Sequence, residues 1–257
     1  TYFKKGKSLS KFKLEVNEEF KTLKNFVKNL KIFFQKNNNT IHKARNEIKV
    51  INYQNSDLVV KSFKIPSFLN RVIYTFFRSS KAKKSYDYAI KIAAFTPKPI
   101  GYIEFYENTL LANSYFVSEK FDYSFTIRES LLDANFPNKE KIFKDFAKFS
   151  HSLHENEIYH LDFSPGNILI KEQNGEYIFK IVDINRMKFR PLCNELRMKN
   201  FSKLWAKDED LKIIIKEYAK ISGMNEDIAI KKALSYSHSL KARKNFKKRL
   251  RGQKVVD

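Results

Sequence analysis

The chain reads IYHLDFSPGNILI over residues 158–170 and YIFKIVDINRMKF over residues 177–189. The first stretch sets Asp162 and Asn167 in the order H-x-D-x-x-x-x-N, and the second places Asp183 at the end of an apolar β-type run. Phosphoryl transfer from ATP requires a carboxylate for the hydroxyl proton, and an amide and a second carboxylate that can hold Mg²⁺. The two stretches therefore predict a phosphotransferase site.

Each residue of this pattern has an expected role. Asp162 lies in a loop where its carboxylate can reach a substrate hydroxyl as the base. The turn at residues 164–166 lets the Asn167 side chain fold back towards a metal, and Asp183 is suited to bridging Mg²⁺ and phosphate oxygens. We expect His160 to brace the loop backbone. Turn and strand capping would explain these residues singly, but their joint order and spacing favour catalysis.

Upstream, the ATP phosphates need a cation. Val59-Val60-Lys61 matches the V-A-I-K pattern on a predicted strand, and Lys64 competes with Lys61 from the opposite side of that strand. Asp87 is the acid best placed on the following helix to hold the lysine, unless it is only a solvated charge of the helix surface. Glu119 follows the strand where two lobes should join, and its backbone is expected to meet adenine.

The glycine-rich loop that covers the phosphates in many kinases has no clear equivalent. No glycine occurs between Gly6 and Gly101, so the covering turn would fall in NNNTIHKARN, residues 37–46. Asn residues there could supply left-handed backbone conformations. A pseudokinase without catalysis therefore remains an alternative.

Composition limits the partners. The 257 residues are 42% hydrophobic and carry a formal net charge of +22, which favours polyanions such as anionic lipid headgroups, phosphorylated glycolipid or nucleic acid. No nucleic-acid recognition motif is present, so nucleic acid is the least favoured. The single cysteine, Cys193, fits a reducing compartment, and we expect it to be buried. No signal peptide is visible, and no apolar run approaches the ~20 residues of a membrane span.

Hydrophobic periodicity predicts an α+β, bilobal fold. A small antiparallel sheet with one key helix and a helical extension is expected over residues 1–120, and a mainly helical catalytic lobe with a basic tail over residues 121–257. The predicted elements of the first lobe are a loose lead-in at 1–13, a helix at 15–30, a strand at 31–36, strands at 47–53, 57–64, 99–107 and 111–121, and helices at 67–81 and 82–94. In the second lobe we predict a helix at 139–156, a strand pair around 167–170 and 177–183, and helices to the end.

Five segments together carry a resemblance to a known family: HLDFSPGNILI, VDINRM, VVKSFK, the SKAKKSYDYA helix and TPKPIGYIE. They resemble the bacterial lipopolysaccharide kinase family, which includes the Kdo kinases and the WaaP-type heptose kinases of the inner core. The resemblance covers roughly residues 40–190. It implies a protein-kinase-like fold and ATP with Mg²⁺ as cofactors. It also implies phosphorylation of a sugar hydroxyl on lipid A–core glycolipid, in the cytoplasm and peripherally on the inner face of the bacterial cytoplasmic membrane.

Carried over by position, the resemblance makes Asp162 the catalytic Asp, Asn167 and Asp183 the metal ligands, and Lys61 the lysine that binds ATP. There are two departures from the family pattern. Asp87 stands where a longer Glu is commoner, and Ala44 stands where a Gly is expected before Arg-Asn.

Two features point away from protein substrates. Protein Ser/Thr kinases usually carry Lys two residues after the catalytic Asp, where this chain has Ser164. A long activation segment ending in A-P-E is also missing after Asp183. Both differences are typical of small-molecule and glycolipid kinases. Arg186 and Arg190 could hold an anionic acceptor, or could instead pair with a neighbouring carboxylate or face water.

The densest basic run is SLKARKNFKKRLRGQK, residues 239–254. Leu240, Phe246 and Leu250 are interleaved among its charges, which favours contact with a membrane surface or glycolipid phosphates. A solvated helical tail is the alternative.

Overall fold

The computed structural model describes residues 11–43 and 46–253. The chain divides into two compact units between Phe121 and Asp122. Each unit mixes strands and helices, so the predicted α+β class is confirmed.

A six-stranded antiparallel sheet forms the centre of the first unit. Its strands are β1 (Lys11–Val16), β2 (Thr40–Lys43), β3 (Glu47–Tyr53), β4 (Ser56–Phe63), β5 (Pro99–Glu107) and β6 (Leu110–Glu119). Their order in the sheet is β1-β5-β6-β4-β3-β2. Successive side chains of a strand point to opposite faces, and the first six residues of β5 are all buried, so both faces of the sheet are covered there.

Helices cover both faces of this sheet. A 3-10 helix (Glu18–Leu23) leads into α1 (Lys24–Lys28) and α2 (Leu30–Lys36), and these pack Phe26, Leu30 and Phe34 against one face. On the other face, α4 (Lys81–Lys91) packs Ala82 and Tyr86 against the sheet. Helix α3 (Phe68–Phe76) contacts β6 and buries none of its own residues.

Several predictions for this unit were wrong, and all concern its beginning. Residues 11–16 form an edge strand instead of a lead-in or a helix, because they pair with residues 101–106 of β5. Residues 31–36 are helical instead of extended, since Leu30 and Phe34 lie on one helix face in the core. Part of the predicted turn at 37–46 is β2, which pairs with β3. Ala44, the position of the expected glycine, lies outside the described residues.

The other predicted elements of this unit are close to those observed. The strands β3, β4, β5 and β6 are confirmed within two residues at each end. The two predicted helices correspond to α3 and α4, although both are shorter than predicted.

The second unit is mainly helical, with three short antiparallel pairings. Its strands are β7 (Phe125–Thr126), β8 (Ile158–His160), β9 (Ile168–Gln173), β10 (Glu176–Ile181) and β11 (Met187–Phe189). Its helices are α5 (Ile127–Leu132), α6 (Lys139–Glu155), α7 (Asn194–Phe201), α8 (Asp208–Ser222) and α9 (Glu226–Arg249). Helix α6 packs against α8 and α8 packs against α9, and α6 also contacts β8 and β10. Apolar residues of these helices are buried in the core.

Three further observations bear on the sequence predictions. Strand β10 ends at Ile181, so Asp183 lies in the loop after it rather than within the strand. Cys193 is exposed, so its predicted burial was wrong. In the part of the chain that the structure describes, every helix is too short or too polar to span a lipid bilayer.

Candidate active site

The His160 imidazole braces the two segments that carry the candidate residues. It lies at the end of β8 and is almost fully buried. Nδ1 accepts a hydrogen bond from the Asp162 backbone N–H at 3.0 Å, and Nε2 donates to the Val182 carbonyl at 3.1 Å. Burial lowers the pKa of His160, so the ring stays neutral and keeps this tautomer. One ring therefore sets the spacing between the Asp162 loop and the residue before Asp183, as the sequence predicted.

Asn167 folds back over the same loop. Its Nδ2 donates to the Asp162 carbonyl at 2.9 Å and to the Ser164 hydroxyl at 3.0 Å. These two bonds use both amide protons, and no donor among the described residues contacts Oδ1. The backbone carbonyl of Asn167 accepts from Val182 N–H at 2.9 Å. The side-chain oxygen is therefore oriented and available as a ligand.

Asp183 has a left-handed backbone, with φ of 56°. A non-glycine residue in this region is strained, and such strain is frequent where a side chain must be aimed. The Asn185 side chain donates to Asp183 Oδ1 at 2.7 Å, which orients the carboxylate. The loop conformation, rather than a strand, thus sets the direction of this side chain.

Asp162 is part-exposed and lies among cations. Arg186 Nη1 lies 3.8 Å from Asp162 Oδ2. Lys203 interacts electrostatically with Asp162 and also with Arg186, Arg243 and Lys244. Burial and these neighbouring cations lower the pKa of Lys203. Within the described residues, Lys203 makes neither a hydrogen bond nor an ion pair.

A buried chain of polar side chains supports this loop from the helices. Asn200 donates to the His160 carbonyl at 2.9 Å and accepts from His154 Nε2 at 3.1 Å. His154 Nδ1 accepts from the Tyr218 hydroxyl at 2.9 Å. Burial lowers the pKa of His154 to about 4, so its ring is neutral. The position of β8 is in this way tied to α6, α7 and α8.

The sequence did not reveal that Asn200 contacts the His160 backbone, that Lys203 lies near Asp162, or that cations of α9 lie near Lys203. Their positions depend on how α7 and α9 pack, and no local motif encodes that packing. The one available signal was the spacing of apolar residues in α7, which leaves Asn200 on the buried side. His154 packs in the core.

In the first unit, Lys61 lies in the central strand β4, paired with Ile48 of β3 and Phe116 of β6. Its Nζ is 5.4 Å from the centre of the Phe63 ring, and Phe63 packs against α4. The half-buried Lys61 therefore lies on the face of the sheet that α4 covers. Lys64 is exposed beyond the end of the strand. This arrangement favours Lys61 over Lys64 as the phosphate-binding lysine.

Asp87 and the Glu119 backbone have hydrogen-bond partners other than the ones that the sequence predicted. Both carboxylate oxygens of Asp87 accept from Lys83 Nζ, at 2.9 and 3.0 Å. This bond and its charge raise the pKa of Lys83 against the opposing effect of burial. Glu119 ends β6, and its N–H already donates to the Lys98 carbonyl at 2.9 Å. The Glu119 N–H is therefore not available to adenine.

The donor set suits Mg²⁺ better than a transition metal. Among residues 11–43 and 46–253, no three His, Cys, Asp or Glu side chains cluster as a metal site. Mg²⁺ in nucleotide sites commonly takes only one or two protein oxygens, with phosphates and water completing the shell. The oriented oxygen of Asn167 and the carboxylate of Asp183 fit that requirement.

Comparisons with known proteins identify the family of the chain. The family model described as the lipopolysaccharide kinase (Kdo/WaaP) family matches residues 90–223, a little over half of the chain. The chain belongs to this family. No curated protein gives a significant match.

One solved structure extends the likeness to most of the chain. A structure of WaaP in complex with acyl carrier protein matches with a TM-score of 0.59 and 11% identity, over 90% of this chain and 97% of that chain. The Rio2 kinase–ADP/Mg²⁺–phosphoaspartate complex from Chaetomium thermophilum matches at 0.45 and 16% identity, over 76% and 60%. The PknI kinase domain of Mycobacterium tuberculosis matches at 0.40 and 12%, over 68% and 72%. The predicted protein-kinase-like fold is confirmed, and family membership makes the protein a kinase of lipopolysaccharide biosynthesis.

Proposed function

We propose that this protein transfers the γ-phosphoryl group of ATP to a sugar hydroxyl, of Kdo or heptose, in the lipopolysaccharide inner core or a related glycolipid. The arrangement of Asn167 carries the proposal. Its amide nitrogen is bonded to the loop that presents Asp162, and its oxygen is left for a ligand. If Asn167 only stabilised the turn, its two N–H bonds would be sufficient, and the orientation of its side-chain oxygen towards a ligand would have no role.

In this proposal each residue has a separate task. Bound Mg²⁺·ATP supplies the phosphoryl group and neutralises charge on the phosphates. Asn167 and Asp183 hold the metal, and Lys61 binds the phosphates. Asp162 orients the acceptor hydroxyl and takes its proton. His160 stays neutral and fixes the spacing of the loop, so it takes no part in proton transfer.

The surroundings of Asp162 support an anionic acceptor. Arg186 lies 3.8 Å from Asp162, and Lys203 interacts electrostatically with Asp162 and with two further cations, Arg243 and Lys244. The Lys203 ammonium makes no hydrogen bond or ion pair in the described part of the chain. Cations in this place would attract a substrate that carries carboxylate or phosphate groups, as the lipopolysaccharide core does. The acceptor would be presented at the inner face of the cytoplasmic membrane, with the protein bound peripherally.

The proposal is tested by incubating the protein with γ-labelled ATP, Mg²⁺ and Kdo–lipid A or heptosylated core glycolipid. Label is expected in the glycolipid, and its loss on omission of Mg²⁺ would support the metal role. A folded protein that binds ATP but labels no core glycolipid would contradict the proposed acceptor. Label in a soluble sugar or protein would show that the acceptor belongs to another class.

Nucleotide binding separates this proposal from the pseudokinase alternative. Thermal-shift titration with ATP and Mg²⁺ is expected to stabilise the wild type. Lys61→Met should remove most of that shift, whereas Lys64→Met, its matched control, should retain it. Equal shifts for both variants would contradict the assignment of Lys61, and no shift for the wild type would favour a pseudokinase.

A further inference from the structure

Helix α3 is attached to the first unit by its polar side chains. Arg71 Nε donates to the Leu111 carbonyl at 2.7 Å, and its Nη2 lies 3.4 Å from the carbonyls of Glu107 and Leu110. The Thr75 hydroxyl accepts from the Leu111 N–H at 2.9 Å. A surface helix normally turns its apolar residues to the core, so this polarity is reversed.

The apolar side chains of α3 and its flanks face outwards. The exposed fractions are 68% for Phe68, 75% for Leu69, 64% for Phe76 and 79% for Phe77. At helical spacing, 100° per residue, these four and the part-exposed Ile73 fall on one half of the helix. Arg71 lies on the opposite half, and Thr75 lies at the boundary between the two halves. Monomeric soluble proteins rarely expose so large an apolar patch unless it binds something.

The charge around this patch identifies the kind of partner. Residues 58–86 contain seven Lys and Arg and no Asp or Glu. Exposed Lys64 and Arg78 stand just before and just after the patch. An apolar helix face with cations at both ends is the arrangement of interfacial helices that bind anionic lipid.

A cleft adjoins the same patch. It measures about 680 Å³ and is lined by Phe12, Phe76 and Tyr106, with Lys11 and Lys13 at its edge. Phe12 is itself exposed. The apolar surface therefore continues from α3 on to the edge of the sheet, again beside lysines.

We infer that α3 is a membrane-docking helix, which inserts Phe68, Leu69, Phe76 and Phe77 into an anionic lipid surface. Aromatic rings would enter the boundary between headgroups and acyl chains, and Lys64 and Arg78 would contact lipid phosphates. This surface is separate from the basic run at 239–254. The inference rests on the peripheral membrane binding of the proposed function and names the surface that makes it. Lipid binding requires neither ATP nor a glycolipid acceptor, so its failure can be distinguished from failure of the proposed phosphoryl transfer.

Vesicle flotation of the full chain tests the inference. The wild type is expected to bind vesicles of phosphatidylglycerol and phosphatidylethanolamine more strongly than vesicles of phosphatidylcholine. Changing Leu69, Phe76 and Phe77 together to Ser should lower the partition coefficient by about 10²-fold. Lys64→Gln with Arg78→Gln should lower it roughly tenfold on the anionic vesicles only. Leu132→Ser is the matched control, since Leu132 is also 75% exposed, and it should bind as the wild type.

Three results would overturn the inference. The first is that the wild type does not bind vesicles, and the second is that the triple variant binds them as strongly as the wild type. The third result is a dimer of the wild type in sedimentation that the triple substitution dissociates without reducing vesicle binding. If the triple variant fails to fold, Phe77→Trp in a Trp205→Phe background gives a second measurement. Its fluorescence should be quenched by brominated lipid, and absence of quenching would equally overturn the inference.

Discussion

The two units hold their candidate residues in different ways. In the second unit, side chains position the loop: Asn200 holds the His160 backbone, and the His160 ring holds the backbones of Asp162 and Val182. In the first unit, Lys61 is placed by the register of β4 between its two neighbours. The first arrangement depends on a few buried polar groups, whereas the second is spread over many backbone hydrogen bonds. Single substitutions distant from the chemistry should therefore disturb the catalytic loop more than they disturb Lys61.

The largest effect is expected at Asp162. Asp162→Asn removes the base and keeps the shape, so transfer should fall by about 10² to 10⁴-fold. The backbone N–H of residue 162, which donates to His160, is retained, so ATP binding should change little. Rate measurements with labelled ATP, together with ATP titration, check both parts. Asp133→Asn, on the exposed end of α5, is a control that should retain full activity. Wild-type turnover by Asp162→Asn would show that the base has been misassigned.

Asn200 tests the buried side-chain arrangement directly. Asn200→Ala leaves the His160 carbonyl and His154 Nε2 buried without partners, which should cost about 2–4 kcal/mol in the free energy of unfolding. Urea unfolding measures this cost. Asn70→Ala removes an exposed hydrogen bond of the first unit, to Ser67, and should change stability by less than about 0.5 kcal/mol. Equal effects of the two substitutions would contradict the contrast between the units.

The family and the protein-kinase-like fold were predictable from the sequence, because His160, Asp162, Asn167 and Asp183 lie close together in the chain and form a recognisable motif. The strands β3, β4, β5 and β6 were also predictable, because they are short runs rich in β-branched and aromatic residues. The roles of the individual site residues stay predictions.

The beginning of the first unit was not predictable in the same way. Residues 11–16 form a strand by pairing with the edge of β5. Residues 31–36 form a helix that packs Phe34 against the face of the sheet. Tertiary packing overrode local pattern in both places. Lys203 was missed for a related reason, since its proximity to Asp162 arises between elements distant in sequence.

Acid should weaken the second unit through His154. Its pKa in the folded protein is about 4, below the value of about 6.5 that an unfolded chain has, so the unfolded state binds more protons between these values. The neutral buried ring therefore contributes its full stability above pH 6.5, and this is lost as the pH falls towards 4. The expected slope is about 1.4 kcal/mol per pH unit in that window. The lowered pKa of buried His160 acts in the same direction.

Urea unfolding at pH 7, 5.5 and 4.5 measures the slope. His154→Gln should be less stable than the wild type at pH 7 but should lose less stability on acidification. His42→Gln, an exposed position on β2, is the control and should keep the wild-type slope. An unchanged slope in His154→Gln would show that other groups cause the acid sensitivity.

The smallest effect is expected at Asp87. The carboxylate is held by Lys83 on the next turn of α4, and both side chains are part-exposed, so the pair contributes little to stability. Because Asp87 is paired with Lys83, Asp87→Ala should change ATP affinity by less than about twofold, which corresponds to the small energy of an exposed ion pair. Titration of ATP into Asp87→Ala, Lys61→Met and the double variant gives their coupling. The effects of the two single substitutions on ATP affinity are expected to add, because the register of β4, and not an acid on α4, positions Lys61 in this interpretation. A coupling above about 1 kcal/mol would instead establish Asp87 as the acid that holds Lys61, and the first unit would also position its residue through a side chain.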